Sequence, residues 1–375
     1  MKERQISDEM LNAFLSGELS SLLEAVKKDD TLDLELRGNS VNIYYRGGSI
    51  FKIEEINNSF SISFDINYCI ESSTSLSGNP SPAEAVANLP FYKQAMDWWF
   101  HKHPKYEREF QQVIARENNN QGKISSGTDY YIADIEFADG NARFDMVALK
   151  WLSNGAVRRD TSRISLALIE VKYGDGALKG TAGIEKHLED FRAFLSDREK
   201  VSDFCRDMSL VFSQKCRLGL VDGLNEKQYD VKISSLDPEV IFLFANHDPE
   251  SKILPAVLKE VEPNKYPFPI LVANASYMGY GLYAEQMKQI KGCTTTLLSR
   301  RFAILSSKTG GRFYGRRNTT GKRCALRDWK RFTVSLSYTE MCKRVKGNET
   351  LYSSRHAPDR RHCCRNLHGK HAHPH

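Results

Sequence analysis

Three residues in the middle of the chain have the types and spacing for chemistry on a charged substrate: Asp145, Glu170 and Lys172. The last two stand in "ISLALIEVKYGDG", residues 164–176, where an apolar run ends in Glu-Val-Lys and falls into a glycine turn. Side chains at i and i+2 of a strand share a face, about 6–7 Å apart, so Glu170 and Lys172 project together while Val171 turns the other way. Asp145 is the lone acid inside a second apolar run, "RFDMVALKW". If the two runs pair as neighbouring strands, Asp145 stands beside Glu170. Two carboxylates that close repel each other unless a cation lies between them. An oxygen-only set suits a hard divalent cation, best Mg²⁺ with several retained waters. Lys172 then lies within reach of a metal-bound water and of a substrate phosphate. The competing reading is structural: a half-buried Glu170–Lys172 ion pair, with Asp145 as a hydrogen-bonded strand end. Buried pairs add little net stability, which weighs against placing three charges at the ends of core strands for stability alone.

The elements that must hold these residues follow from periodicity. "TDYYIADIEFADGNARFDMVALKW" reads as two strands around Ala138-Asp139-Gly140-Asn141, a hairpin signal. The run with Glu170 is a third strand. "GTAGIEKHLEDFRAFL", residues 180–195, puts Ile184, Leu188, Phe191 and Leu195 on one helical face, and a second helix is expected over 196–218. "EVIFLFANH", residues 239–247, is nearly all apolar, as a strand covered on both faces should be. A helix over 251–261 and a strand over 269–283 close the body. Upstream, residues 83–118 read as two helices separated by Pro104. Residues 32–69 alternate apolar and polar and are cut by Gly-Asn, Gly-Gly and Asn-Asn, a β-meander. Its "YYRGG" is a hairpin with half-exposed tyrosines, or else it presents aromatics and Arg46 to a ligand. Residues 1–30 form an amphipathic helix with Leu11, Phe14, Leu15 and Leu22 on one side. The expected class is α+β: a mixed central sheet flanked by helices, with an N-terminal β-meander.

Asp145 followed by Glu170-Val171-Lys172, on two apolar strands after a hairpin and before an amphipathic helix, resembles the PD-(D/E)XK nuclease superfamily over roughly residues 105–283. The resemblance implies a restriction-endonuclease-like core, with helix, three strands, helix and strand in order. It implies phosphodiester hydrolysis of nucleic acid, DNA before RNA. The proline expected before the aspartate is absent; Phe144 stands there. The implied cofactor is Mg²⁺, with Mn²⁺ able to substitute, held by Asp145, Glu170 and the carbonyl of Val171 while Lys172 orients the attacking water. Members often add a glutamate from the helix before the sheet. Here "EREFQQVIAREN" offers Glu107, Glu109 and Glu117, and Glu109 is favoured. Members also often carry a polar residue on the helix after the motif, four residues before an aromatic. His187 and Phe191 hold that pattern, so His187 would contact a phosphate or a metal-bound water; a lone helical His is otherwise a surface or capping residue. Tyr173 and Gly174-Asp175-Gly176 shape the edge of the site or simply turn the chain. A non-catalytic protein on the same fold, binding a partner or nucleic acid in a defence or toxin system, is the rival reading.

The 375 residues are enough for more than one domain. No run approaches the length that crosses a bilayer, and the N-terminus is charged, without the apolar region of a secretory signal. A cytoplasmic protein is the default, with Cys69, Cys205 and Cys216 reduced. Charge divides sharply. Residues 287–375 carry 21 Lys and Arg against 4 Asp and Glu, leaving 32 against 43 in residues 1–286. Five of the eight cysteines and six of the ten histidines also follow residue 286. The chain is therefore divided into residues 1–82 (helix and meander), 83–286 (the nuclease-like body) and 287–375 (a basic, Cys/His-rich tail). Three readings of the tail stand: an arm for nucleic acid, a zinc site on Cys363, Cys364, His368 and His371, or a disordered or frameshifted segment. The abrupt break in composition favours the third.

Overall fold

The computed structural model describes residues 3–290, except 58, 72–74, 121–126, 141, 249 and 276–278. These belong to the first of two compact units, Met1–Arg300. The tail from residue 291, with Cys363, Cys364, His368 and His371, lies outside the described residues. Among the described residues the class is α+β, with two sheets and eight α-helices, none of them long and apolar enough to cross a membrane.

The expected first helix is two: α1 (Asp8–Ser16) and α2 (Ser20–Lys28). Ser7 caps α1 by accepting the Met10 N–H, and Gly17 ends it. A Cβ at Gly17 would lie 2.8 Å from the Ala13 Cα, so the close turn there needs glycine. Leu11, Phe14 and Leu22 are buried as expected, but the break turns Leu15 outward. The meander is an antiparallel sheet of β1 (Leu32–Leu36), β2 (Ser40–Tyr45), β3 (Gly48–Ile56) and β4 (Ser59–Ser63). A two-residue turn joins β2 to β3, with Arg46 at φ 49° and Gly47 at φ 79°, the left-handed pair that such hairpins need. Tyr45 is buried and Arg46 is paired with Asp97 and Glu109, so this hairpin does not present a free arginine. The sheet ends earlier than residue 69, because Ile66–Glu71 winds into a 3₁₀ turn.

Helices α3 (Pro82–Ala87), α4 (Leu89–Lys102) and α5 (Tyr106–Asn119) lead into the second sheet. Its strands are β5 (Tyr130–Asp139), β6 (Ala142–Lys150), β7 (Ser165–Tyr173), β8 (Glu239–Ala245), β9 (Ile270–Asn274) and β10 (Lys288–Gln289), which lie side by side in chain order. Strands β5, β6 and β7 are antiparallel, β7, β8 and β9 parallel, and β10 returns antiparallel. The sheet thus extends past residue 286. Between β7 and β8 come α6 (Ile184–Leu195) and α7 (Arg198–Arg217); α8 (Ile253–Glu260) precedes β9. One face of β7, with Leu166 and Leu168, belongs to the larger core with Leu188 and Phe191 of α6 and Phe204 and Phe212 of α7. The other face, with Ala167, Ile169 and Val171, packs with Phe110 and Ile114 of α5. Burial on both sides explains why β7 and β8 read as continuous apolar runs.

The larger core runs from Ile6 to Ile270 and joins the two sheets. A buried charge network reinforces the junction. Lys215 donates to Glu35 Oε1 at 2.6 Å, Arg37 pairs with Asp134 and donates to the Ile135 carbonyl at 2.8 Å, and Asp207 accepts the Arg4 N–H at 3.0 Å. Burial pushes Glu35 up to about 8, against the pull of Lys215. Burial likewise raises Asp207 to about 6, against the N–H groups of Arg4 and Gln5.

Candidate active site

The site begins where two strands stop pairing. The β6–β7 ladder ends at Met146 and Ile169, so the next residues in register are Asp145 and Glu170. The side chain of Asp145 takes over there: its Oδ2 accepts the Val171 N–H at 2.8 Å. On β6 the alternation slips at the same point. Phe144 and Val147 share the larger core although they are three residues apart, while Met146 faces the other side. Opposite, Glu136 of β5 has φ 52°, a left-handed residue that interrupts the β5–β6 pairing between Ile135 and Phe137. The N–H and C=O of one strand residue face the same neighbour. The carbonyl of Val171 therefore faces the opening beside Asp145, while its side chain is core.

Glu170 and Lys172 share a face, as their spacing requires, and both are almost fully enclosed, at 3 % and 2 % exposure. Lys172 Nζ donates to Glu170 Oε1 at 2.7 Å. From α6, His187 Nε2 reaches the same oxygen at 3.0 Å. Phe191, one turn further on, stacks on Phe144 with ring centroids 5.2 Å apart, which anchors α6 against β6 beside Asp145. The structure thus brings Asp145, Glu170, Val171, Lys172 and His187 together.

Glu109 is not among them. It pairs with Arg46 at 3.2 Å, on the side of α5 toward the β2–β3 hairpin. The acid that α5 contributes is Glu107, which feels the charges of Lys172 and Glu170. Sequence carried the signal for this choice: Glu107 precedes Phe110 by three residues and Ile114 by seven, the helical spacing of the buried face, and Glu109 does not. Burial raises the Glu107 carboxyl above its usual range. Burial and then Glu170 raise Asp145 well above its own, more than the Val171 N–H lowers it.

A further pair supports the motif from behind and escaped sequence reading. His247, just past β8, directs Nε2 to the Lys172 carbonyl at 3.1 Å and Nδ1 to Asp175 at 2.6 Å, so both ring nitrogens face acceptors. Ser251 and His247 hold Asp175 below the usual carboxylate range. Gly174 adopts φ 72°, the turn that brings Asp175 back under β8. No residue spacing announces this contact, because it joins two loops 72 residues apart.

The donor set is hard oxygen, with Asp145, Glu170 and Glu107 set against a single lysine. Burial and mutual repulsion raise two of these acids, and a bound cation would relieve both effects. Mg²⁺ takes one or two carboxylates and keeps its waters, so Asp145 and Glu170 suit it in kind and number. Among the described residues no three His, Cys, Asp or Glu side chains converge as a ready-made metal cage. Glu170 Oε1 is engaged by Lys172 and His187, which leaves Oε2 as its donor. A separate cleft of about 730 Å³ lies between α6 and α8, lined by Lys179, Lys186, Arg192, Glu185, Glu189 and Lys265 among others, not by the acid cluster. Comparisons with family models, with curated proteins and with solved structures found no match to this chain.

Proposed function

We propose that this chain is a Mg²⁺-dependent nuclease with a restriction-endonuclease-like core, hydrolysing phosphodiester bonds of nucleic acid, DNA before RNA. The observation that carries the reading is the junction of Asp145 with Glu170-Val171-Lys172 at the end of the β6–β7 ladder, closed by the Val171 N–H bond. The order α5, β5, β6, β7, α6, with β8 parallel to β7, supports the same core. Asp145 Oδ1, Glu170 Oε2 and the Val171 carbonyl would hold the ion, and Mn²⁺ would substitute for it. Bound there, Mg²⁺ supplies a water acidic enough to attack and offsets charge on the phosphate oxygens.

The chain's own residues do the rest. Lys172 is the cation among the acids; it orients the attacking water and stabilises the negative charge that gathers on phosphorus-bound oxygen. Glu107, made more basic by burial, takes the proton of that water. The new P–O bond forms as the bond to the leaving sugar oxygen breaks, and that oxygen takes a proton from solvent. His187 holds Glu170 in place through Oε1. Near-complete burial of Glu170 and Lys172 strengthens every charge interaction among them.

The closed Glu170–Lys172 pair favours a second reading, a binding protein without turnover. One assay separates the two. Purified protein is incubated with end-labelled single- and double-stranded DNA and RNA, with Mg²⁺, with Mn²⁺ or with chelator. Cleavage that needs metal and is lost in Asp145→Ala supports the nuclease. Absence of cleavage on every substrate, or cleavage in chelator, overturns it.

A further inference from the structure

We propose that the aromatic cluster beside the acid–lysine site is a stacking platform for an unpaired nucleobase, so that the substrate is single-stranded or locally unpaired nucleic acid. The inference rests on the nuclease reading above and narrows its substrate class.

The cluster's stacked pair comes from α5 and β7, two of the elements that meet at the site. Tyr106 precedes Glu107 on α5, and Tyr173 follows Lys172 on β7. Their rings stack, with centroids 5.7 Å apart and planes 19° from parallel. Phe110, one turn along α5, is buried and meets Tyr173 edge-on at 5.9 Å and Tyr280 edge-on at 5.5 Å. Tyr106 is 56 % exposed and Tyr280 36 %. Tyr106 thus has one ring face on Tyr173 and a large surface left in water.

Tyr280 is held in an unusual pose. Its φ is 70°, uncommon for a bulky residue, and follows Gly279 at 66°. Its N–H donates to the Ala275 carbonyl at 3.0 Å, and its own carbonyl accepts from Asn118 at 3.0 Å. These bonds keep the ring on Phe110.

A flat ring with an open face, next in the chain to Glu107, suits another flat π-system. Every base has such a face, so stacking tolerates sequence. In a duplex the faces are already occupied by neighbouring pairs, so the platform discriminates by strandedness. Lys105 precedes Tyr106 and Arg108, paired with Glu136 at 3.2 Å, follows two residues on, so both are cations near the ring that adjoining phosphates could meet.

The test is equilibrium binding by fluorescence anisotropy with the full chain in chelator. The probes are a labelled oligo-dT, a blunt duplex of equal length and an abasic strand of equal length. Wild type should bind oligo-dT more tightly than duplex or abasic strand. Tyr106→Ala should weaken oligo-dT binding by about tenfold and leave the abasic strand unaffected, and Tyr106→Trp should restore it. Binding through the basic tail is common to all variants and cancels in the comparison. Equal binding of oligo-dT by wild type and Tyr106→Ala, or an equal loss on the abasic strand, overturns the platform. If Asp145-dependent cleavage persists alongside that result, the platform alone falls. If wild type neither binds nor cleaves any probe, the nuclease reading falls and takes the platform with it.

Discussion

Asp145 Oδ2 accepts the Val171 N–H at 2.8 Å, at the first position where β6 and β7 no longer pair. A side chain stands in for a ladder carbonyl. The substitution does two things at once: it satisfies an amide that the parting strands would orphan, and it fixes a carboxylate beside Glu170. The second oxygen of Asp145 is aimed by the first. Burial and Glu170 make the ionised form of this acid costly.

That cost gives the first prediction. The Asp145 carboxyl is raised in the folded state, so its stabilising contribution is complete below its unfolded pKa and is lost as pH rises through the folded value. At neutral pH and without metal, Asp145→Asn should therefore raise the melting temperature, with the gain fading toward pH 4. Mg²⁺ or Mn²⁺ should stabilise wild type and not the variant. Calorimetric Mn²⁺ affinity unchanged in both Asp145→Ala and Glu170→Ala would exclude a metal site here.

Lys172→Ala should keep Mn²⁺ binding and lose turnover by roughly 10²-fold or more, the size of one electrostatic contact to a transition state. Lys172→Arg should not rescue, because a planar fork does not replace a compact ammonium in an enclosed site. Cleavage by the alanine variant at the wild-type rate would make this lysine structural.

The two acids of α5 should behave differently. Glu107→Gln should lower turnover by about 10²-fold, within the range for a general base. Glu109→Gln should leave the rate near that of wild type, since Glu109 is engaged with Arg46 on an accessible face. Single-turnover rates of the two variants check this, and the reverse ranking would return the role to Glu109.

Asp207 offers a pH test far from the site. Its carboxyl is pushed up to about 6 from 3.8 by burial. The stability it contributes is present below pH 3.8 and is lost as pH climbs through about 6. In urea titrations, Asp207→Asn should therefore gain on wild type between pH 4 and pH 7.5 by on the order of 2 kcal/mol. The acceptor lost with the substitution costs the same at both pH values, so a flat difference would show that Asp207 does not titrate in this interval.

Much of the arrangement was legible in the sequence, because it is local. The strict two-residue period of a strand already places Glu170 and Lys172 on one face. The hairpin residues Asp139-Gly140 make β5 and β6 neighbours, and the face of Leu188 and Phe191 commits α6 to the sheet. That Asp145 would stand near Glu170 needed only the assumption that β6 and β7 pair. What sequence could not decide depends on how separate elements meet. The rotation of α5 that selects Glu107 over Glu109 is legible in the spacing of Phe110 and Ile114, but that Glu107 then meets Lys172 and Glu170 is not. The support of Lys172 by His247, and the stacking of Tyr106 on Tyr173, join residues far apart in the chain. Periodicity reports which face of an element is buried; only the packed structure determines which residue of another element lies against it.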